Sequence, residues 1–289
     1  LSNKILHQIL RSNKIKFFFK EDDTIFKTLN FDDLDCKKLK KNGYSYHKNI
    51  VSKKITEKII ESSEGLNGIY SSDEYNSEKK EKLNQENLKA KKFAISSNDL
   101  INIPEIQDIV INQKILEIAQ DYLESAPILD IISVSFSFPN KKNDSNAAQM
   151  WHIDLDRPKW IKFFIFLNDC TSNNGPHKFI ESSHLTSNLP KEILKKGYKR
   201  IEDNLISNHF NEDKITSFVG NAGSVLIEDS VGLHRGSQVL SGRRVMMQVQ
   251  FSSSLFGAKK EAITFPNQMT KNFKEAIKNY PRIFENFCK

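Results

Sequence analysis

The sequence predicts an α+β protein in which helices pack against an antiparallel barrel or sandwich of strands. Apolar residues recur at helical spacing in two stretches of the first half, 53–64 and 112–124. Between 129 and 252, short β-branched and aromatic runs alternate with Asn-Gly, Gly-Asn and Ser-Gly turn signals. A chain of 289 residues can bury a substantial core as one domain. The expected organisation is a single domain, 1–289, with a mainly helical part over 1–125, a barrel core over 129–254 and a helical tail over 258–289.

From the N-terminus, residues 1–20 hold only short apolar pieces such as Phe17–Phe19 between lysines, too brief for a signal-peptide core or a membrane span. In 53–64, Ile55, Ile59 and Ile60 share one helical stripe, with Ser52 placed to cap it. The run 70–91 is rich in Ser, Glu, Asn and Lys and reads as a surface loop or a mobile helix. In 112–124 the apolar face comprises Ile115, Leu116, Ile118, Ala119, Tyr122 and Leu123, and Pro127 limits its extent. Candidate strands follow at 129–138, 149–154, 160–167, 177–180, 215–219, 224–228, 231–235 and 243–252. The stretch 185–214 reads as an insertion with a short helix near 191–196, placed over the barrel mouth, where loops commonly carry binding residues.

Lys+Arg number 43 against 36 Asp+Glu, a net charge of +7 that favours anionic partners through the overall field. The lysines are dispersed among asparagines and glutamates with no aromatic-interleaved basic stripe, which argues for compositional bias over nucleic-acid binding. Cys36, Cys170 and Cys288 are odd in number and far apart, so neither a disulfide framework nor a zinc knuckle is expected. These features lead to an expected cytoplasmic protein with no nucleic-acid or membrane partner, and an oligomeric state left open.

The densest chemistry lies in Gln149-Met-Trp-His-Ile-Asp154. On a strand, residues i and i+2 point to one face, so His152 and Asp154 converge roughly 6–7 Å apart along the backbone. His234, in Gly232-Leu-His-Arg-Gly-Ser-Gln238, fits as a third ligand from a distant strand. Two imidazoles and one carboxylate with open positions form the ligand set associated with non-haem Fe(II) oxygenases.

The residues from Gln149 to Gly257 resemble the phytanoyl-CoA dioxygenase family of Fe(II)- and 2-oxoglutarate-dependent oxygenases. The resemblance rests on the His-x-Asp segment, on Asn173-Asn-Gly-Pro-His-Lys-Phe-Ile-Glu-Ser-Ser-His184 and on Gly232-Leu-His-Arg-Gly-Ser-Gln-Val-Leu-Ser-Gly-Arg-Arg244. Upstream, Lys41-Asn-Gly-Tyr44 and the helix after Ser52 resemble the family's opening. It implies a double-stranded β-helix, a squashed jelly-roll barrel of the cupin kind, flanked by helices. It also implies His152, Asp154 and His234 as iron ligands and an arginine about ten residues after the distal histidine, pairing with the far carboxylate of 2-oxoglutarate. Arg243 and Arg244 both qualify, and Arg244 is favoured because Val245, Met247, Val249 and Phe251 form the more uniformly apolar face. Phe164 matches an aromatic position beside the cosubstrate, and Gln149 and Trp151 are further pocket-lining candidates.

Lys162 interrupts a strand that otherwise reads as buried on both faces, so it either snorkels to solvent or contacts an anionic ligand. Asp156 and Arg157 stand at the site rim or form an ordinary salt bridge. His177 faces the pocket or serves only packing, and His184 closes a turn or packs against the barrel. The function implied is hydroxylation of a C–H bond in a small polar or anionic metabolite, with O2 consumed and succinate and CO2 as coproducts. The alternatives are a 2-oxoglutarate-independent cupin-like metal protein and a non-catalytic barrel acting as a binding module.

Overall fold

The computed structural model describes residues 3–17, 34–85, 88–139, 148–197 and 199–288. Its strands are β1 (Tyr44–His47), β2 (Asn67–Ser71), β3 (Glu81–Lys82), β4 (Lys92–Ile95), β5 (Ile128–Ser137), β6 (Trp160–Phe166), β7 (His177–Ile180), β8 (Ile215–Phe218), β9 (Val225–Glu228), β10 (His234–Gly236), β11 (Arg244–Ser252), β12 (Ile263–Thr264) and β13 (Phe287–Cys288). Helices are α1 (Asn3–Leu10), α2 (Leu34–Asn42), α3 (Lys53–Glu64), α4 (Ser97–Leu100), α5 (Pro104–Val110), α6 (Gln113–Leu123), α7 (Lys191–Lys196), α8 (Asp203–His209) and α9 (Lys271–Asn279).

An eight-stranded antiparallel sheet runs β1-β9-β6-β11-β5-β4-β2-β3, and a three-stranded antiparallel sheet runs β10-β7-β8. The two face one another across an aromatic layer. Phe164, Phe166, Leu226 and Met246 of the large sheet pack there with Phe179 and Phe218 of the small one. The opposite face of the large sheet carries Ile161, Phe163, Val245, Met247, Val249 and Phe251, which join the apolar faces of the helices in the main core. This alternation explains why β6 and β11 are buried almost throughout: each is central in the sheet and covered on both sides.

Local signals account for the helix limits. Asn112 caps α6 by accepting hydrogen bonds from the amides of Lys114 and Ile115, and Glu124 closes it in the left-handed conformation. Ser52 occupies the cap position of α3 with extended backbone, but its side chain makes no cap hydrogen bond. Among the described residues, no helix is long and apolar enough to cross a membrane.

Several expectations are corrected. The part expected to be mainly helical also supplies β1 to β4, half the strands of the large sheet. The polar run 70–91 is no helix where described; it contains the end of β2 and all of β3. Tyr70 anchors it, fully buried with its ring 4.9 Å from that of Phe93 on β4. One large aromatic ring there outweighs a polar average. The segment 149–154 is not a regular strand: Trp151 and His152 make single antiparallel bridges, to Ile201 and His234. The strand expected over 231–235 begins only at His234, because the preceding residues turn. That turn is held by Gly232 N–H donating to the Asp229 carbonyl at 3.0 Å and Val231 N–H donating to the Asp229 side chain at 3.1 Å. Within the Phe17–Phe19 piece, Phe17 is buried in the core, while Phe18 and Phe19 lie outside the described residues.

Phe163 is fully buried on β6, edge-on to Phe251 with ring centroids 5.9 Å apart. Phe163→Ala should therefore lower unfolding stability by about 3–5 kcal/mol in urea titrations, through lost burial and the cavity left behind.

Candidate metal centre

The centre is built on one backbone bridge. His152 N–H donates to the His234 carbonyl at 3.1 Å, and His234 N–H returns the bond at 3.0 Å. A reciprocally bonded antiparallel pair presents both side chains on the same side. The imidazole rings accordingly stand 4.2 Å apart between centroids. Asp154, two residues on, joins them from the same side, its amide bonded to the Ser230 carbonyl at 2.9 Å. Ligand atoms of His152, Asp154 and His234 all lie within 4.8 Å of one another, and all three residues are buried.

Both imidazoles have their tautomer set by the backbone. Nδ1 of His152 lies 2.8 Å from the Met150 carbonyl, and Nδ1 of His234 lies 2.9 Å from the Gly232 carbonyl. Each Nδ1–H donates to a carbonyl, leaving each Nε2 with a free lone pair near Asp154. The separations are 4.0 Å from His152 Nε2 to Asp154 Oδ1 and 3.6 Å from His234 Nε2 to Asp154 Oδ2. Burial lowers the pKa of both histidines and so favours the neutral, ligating form. Burial acts to raise the Asp154 carboxyl, but Lys162 and the two histidines outweigh it and hold the group well below the usual carboxylate range. Two neutral imidazoles and one anionic carboxylate converging on one point suit a divalent transition metal.

Arg244 lies on the inner face of β11, in one cross-strand row with Ser137 of β5 and Lys92 of β4. Its guanidinium donates to the Gly175 carbonyl and, at 3.3 Å, to the Ser137 hydroxyl. Gly175, in the Asn-Gly turn, adopts φ +76°, which glycine accommodates without strain. Gly236 makes room for the guanidinium: a Cβ there would lie 2.8 Å from an Arg244 terminal nitrogen. Arg244 Nε is buried without a hydrogen-bond partner, and among the described residues Arg244 forms no ion pair. A buried guanidinium lacking a carboxylate calls for an anion from elsewhere. Arg243 points the other way, bound to Glu64 at 2.6 Å and lying over the Phe136 ring.

Other residues singled out from the sequence lie in different places. Phe164 faces the centre, its ring 5.0 Å from that of His177. His177 stacks on His234 at 5.7 Å and bonds Glu228 through Nε2 at 2.7 Å. It stands behind the distal histidine and outside the group of three. Burial pushes Glu228 up to about 7 and His177 down to about 3. Gln149 is buried on the approach to the His-x-Asp segment. Lys162 neither snorkels nor waits for a ligand: it is buried and ion-paired with Asp154. Asp156 pairs with Lys260 at 3.4 Å, and Arg157 makes a two-point ion pair with Asp130, so both serve loop anchoring. His184 contacts the Lys40 carbonyl at 3.2 Å.

Trp151 has the opposite parity to His152 and faces away from the centre. Arg235, which follows His234, lies 4.7 Å over its indole. The stretch 185–214 packs on this outer side, with Leu189, Ile193, Ile201 and Ile206 against Trp151 and Leu233. The apolar part of the insertion is thus a brace behind the ladder, a correction to its expected place over the mouth.

Lys92 was missed. It is half-buried on the inner row and makes no ion pair among the described residues. Burial, followed by repulsion from Arg244, Lys162 and Arg200, pushes its pKa down to about 8. The signal was present in Lys92-Phe-Ala-Ile95, a short polar–apolar alternation hidden behind the polar run.

The sequence profile of the phytanoyl-CoA dioxygenase family matches residues 39–246. No curated protein sequence matches. Among solved structures, the chain is similar to HygX from Streptomyces hygroscopicus with nickel and 2-oxoglutarate bound, at TM-score 0.57 and 13% identity over 80% of this chain and 90% of that one. It is similar to EvdO2 from Micromonospora carbonacea var. aurantiaca complexed with 2-oxoglutarate, at TM-score 0.56 and 14% identity over 80% and 94%. It also matches the non-heme alpha-ketoglutarate-dependent epimerase SnoN from nogalamycin biosynthesis, at TM-score 0.56 and 13% identity over 76% and 82%. At these identities the likeness establishes a shared fold, the cupin-like double-stranded β-helix.

His234→Ala removes one of the three converging donors and should weaken Co(II) binding by more than about 100-fold, since even changes behind the ligands commonly cost 10–100-fold. Titration of the visible cobalt bands measures it.

Proposed function

The chain belongs to the phytanoyl-CoA dioxygenase family of Fe(II)- and 2-oxoglutarate-dependent oxygenases, and we propose that it hydroxylates a C–H bond of a small polar or anionic metabolite. In this reading His152, Asp154 and His234 hold the iron. When bound, iron with 2-oxoglutarate and O2 supplies the oxidising power, coupling decarboxylation of the 2-oxo acid to succinate and CO2 with insertion of one oxygen atom into the substrate.

The observation that carries the reading is Arg244, buried on the inner face of β11 opposite the small sheet that carries His234, and without a carboxylate partner among the described residues. A dicarboxylate cosubstrate satisfies it: one end reaches the metal, and the far carboxylate reaches the guanidinium and the Ser137 hydroxyl. Lys92, in the same cross-strand row, adds a second positive charge at that end. Gly236 keeps the path between His234 and Arg244 free of a side chain. In this reading Phe164, in the aromatic layer between the sheets, limits water there. A substrate that is itself polar or anionic agrees with the positive field of Lys92 and Arg200, both of which act on this interior.

Anaerobic addition of Fe(II) and 2-oxoglutarate should produce the visible charge-transfer band of a chelated 2-oxo acid. His152→Ala should abolish the band. Arg244→Ala should require at least about ten-fold more 2-oxoglutarate, the loss of one charge-assisted bidentate contact, whereas Arg243→Ala should not. Iron binding without any band would instead favour a 2-oxoglutarate-independent metal protein, and no effect of iron on any property would favour a binding module.

Gly236→Ala is expected to leave metal binding intact and to raise the 2-oxoglutarate concentration needed for half-maximal succinate formation, because the new methyl group displaces Arg244.

A further inference from the structure

Lys162 is the charged residue in a strand buried along its whole length. Its two cross-strand neighbours on the inner face are Glu228 of β9 and Gln250 of β11. Each keeps a buried acceptor oxygen without a hydrogen-bond partner, Glu228 Oε1 and Gln250 Oε1, yet Lys162 bonds to neither. Glu228 is turned to His177 at 2.7 Å, and Gln250 donates to Asp130 at 3.0 Å. Lys162 instead crosses the interior and donates from Nζ to Asp154 Oδ2. Both partners are about nine-tenths buried, where a charge-assisted hydrogen bond is strong and directional.

We propose that Lys162 is a positioning residue for the metal carboxylate: it holds one oxygen of Asp154, so that the carboxylate binds the metal through the other oxygen alone. The inference rests on the metal reading of the His152–Asp154–His234 group. A carboxylate with both oxygens free can take two coordination positions, and one of those is needed by the cosubstrate or by O2. The ammonium group prevents this by occupying the second oxygen. The arrangement has an electrostatic cost, since a positive charge beside a divalent cation disfavours metal binding. Most groups behind a metal ligand raise its basicity and strengthen binding. A lysine at this point does the reverse, which gives its removal a distinctive sign.

The test is Co(II) titration of the purified protein, wild type against Lys162→Met, read by the visible d–d bands and by thermal unfolding with and without metal. The expected result is roughly ten-fold tighter Co(II) binding in Lys162→Met, from loss of the nearby like charge. Band intensities should change, as a second carboxylate oxygen enters the coordination sphere. The metal-free variant should unfold at lower temperature than wild type, because Asp154 is left without its counter-ion, and Co(II) should restore the difference. Lys162→Arg, which keeps the charge, should return the wild-type spectrum, and Lys162→Gln serves in place of Lys162→Met if that variant does not fold. Weaker Co(II) binding with an unchanged spectrum would overturn the proposal and leave Lys162 a structural counter-ion. Wild-type protein that binds no Co(II) and no Fe(II) would overturn the metal centre itself, and this proposal with it.

Discussion

The reciprocal hydrogen bonds between His152 and His234 are the constraint on which the rest of the centre depends. They join a loop that precedes β6 to the start of β10, and they do so where both side chains must point inward. The bridge also has an outer side. Trp151 and Arg235, the chain neighbours of the two histidines, meet there in a cation–π contact, and Arg235 is ion-paired with Asp203 of α8 at 2.5 Å. The insertion is therefore bound to the back of the same ladder whose front carries the candidate ligands. Ile201 tightens this link by donating its amide to the Trp151 carbonyl at 2.9 Å.

Charge in the interior follows from the same geometry. The inner face of the large sheet places Lys92, Lys162, Arg244 and Glu228 between two layers of apolar side chains. In a core of low polarity each charge needs a partner or a ligand. Asp154 is shared between Lys162 and the histidines, and Glu228 is bound to His177. Lys92 and Arg244 are left in excess at one end of the row, beside the Asn-Gly turn that lends Arg244 a carbonyl. The interior is thus polarised: three converging donors around one carboxylate at one end and positive charge in excess at the other. In the proposed reading 2-oxoglutarate spans the two, with its far carboxylate at the positive end.

Much of this was legible in the sequence because it depends on short-range periodicity. A strand alternates faces every residue, so the apolar run of Val245, Met247, Val249 and Phe251 was enough to turn Arg244 inward and Arg243 outward, as found. The helix 113–123 was visible for the equivalent reason at a period of 3.6. Averages misled where one residue dominated. The polar run after Tyr70 hid β3, which pairs with β2 next to the buried Tyr70 ring, and the turn at 229–232 shortened a strand that composition would have extended.

Residue identity and spacing sufficed for the shared face of His152 and Asp154, the arginine parity and the fold class, since each is encoded within a few neighbouring positions; the fold brings His234 beside the pair. The retreat of His177 behind His234, the outward face of Trp151 and the place of Lys92 were decided only when distant segments came together, and the partner of Lys162, eight residues back, only by the course of the irregular loop before β6. Their roles depend on which side chain stands across the sheet or behind the ladder. Pairing between segments tens to more than a hundred residues apart leaves no periodic trace in either one.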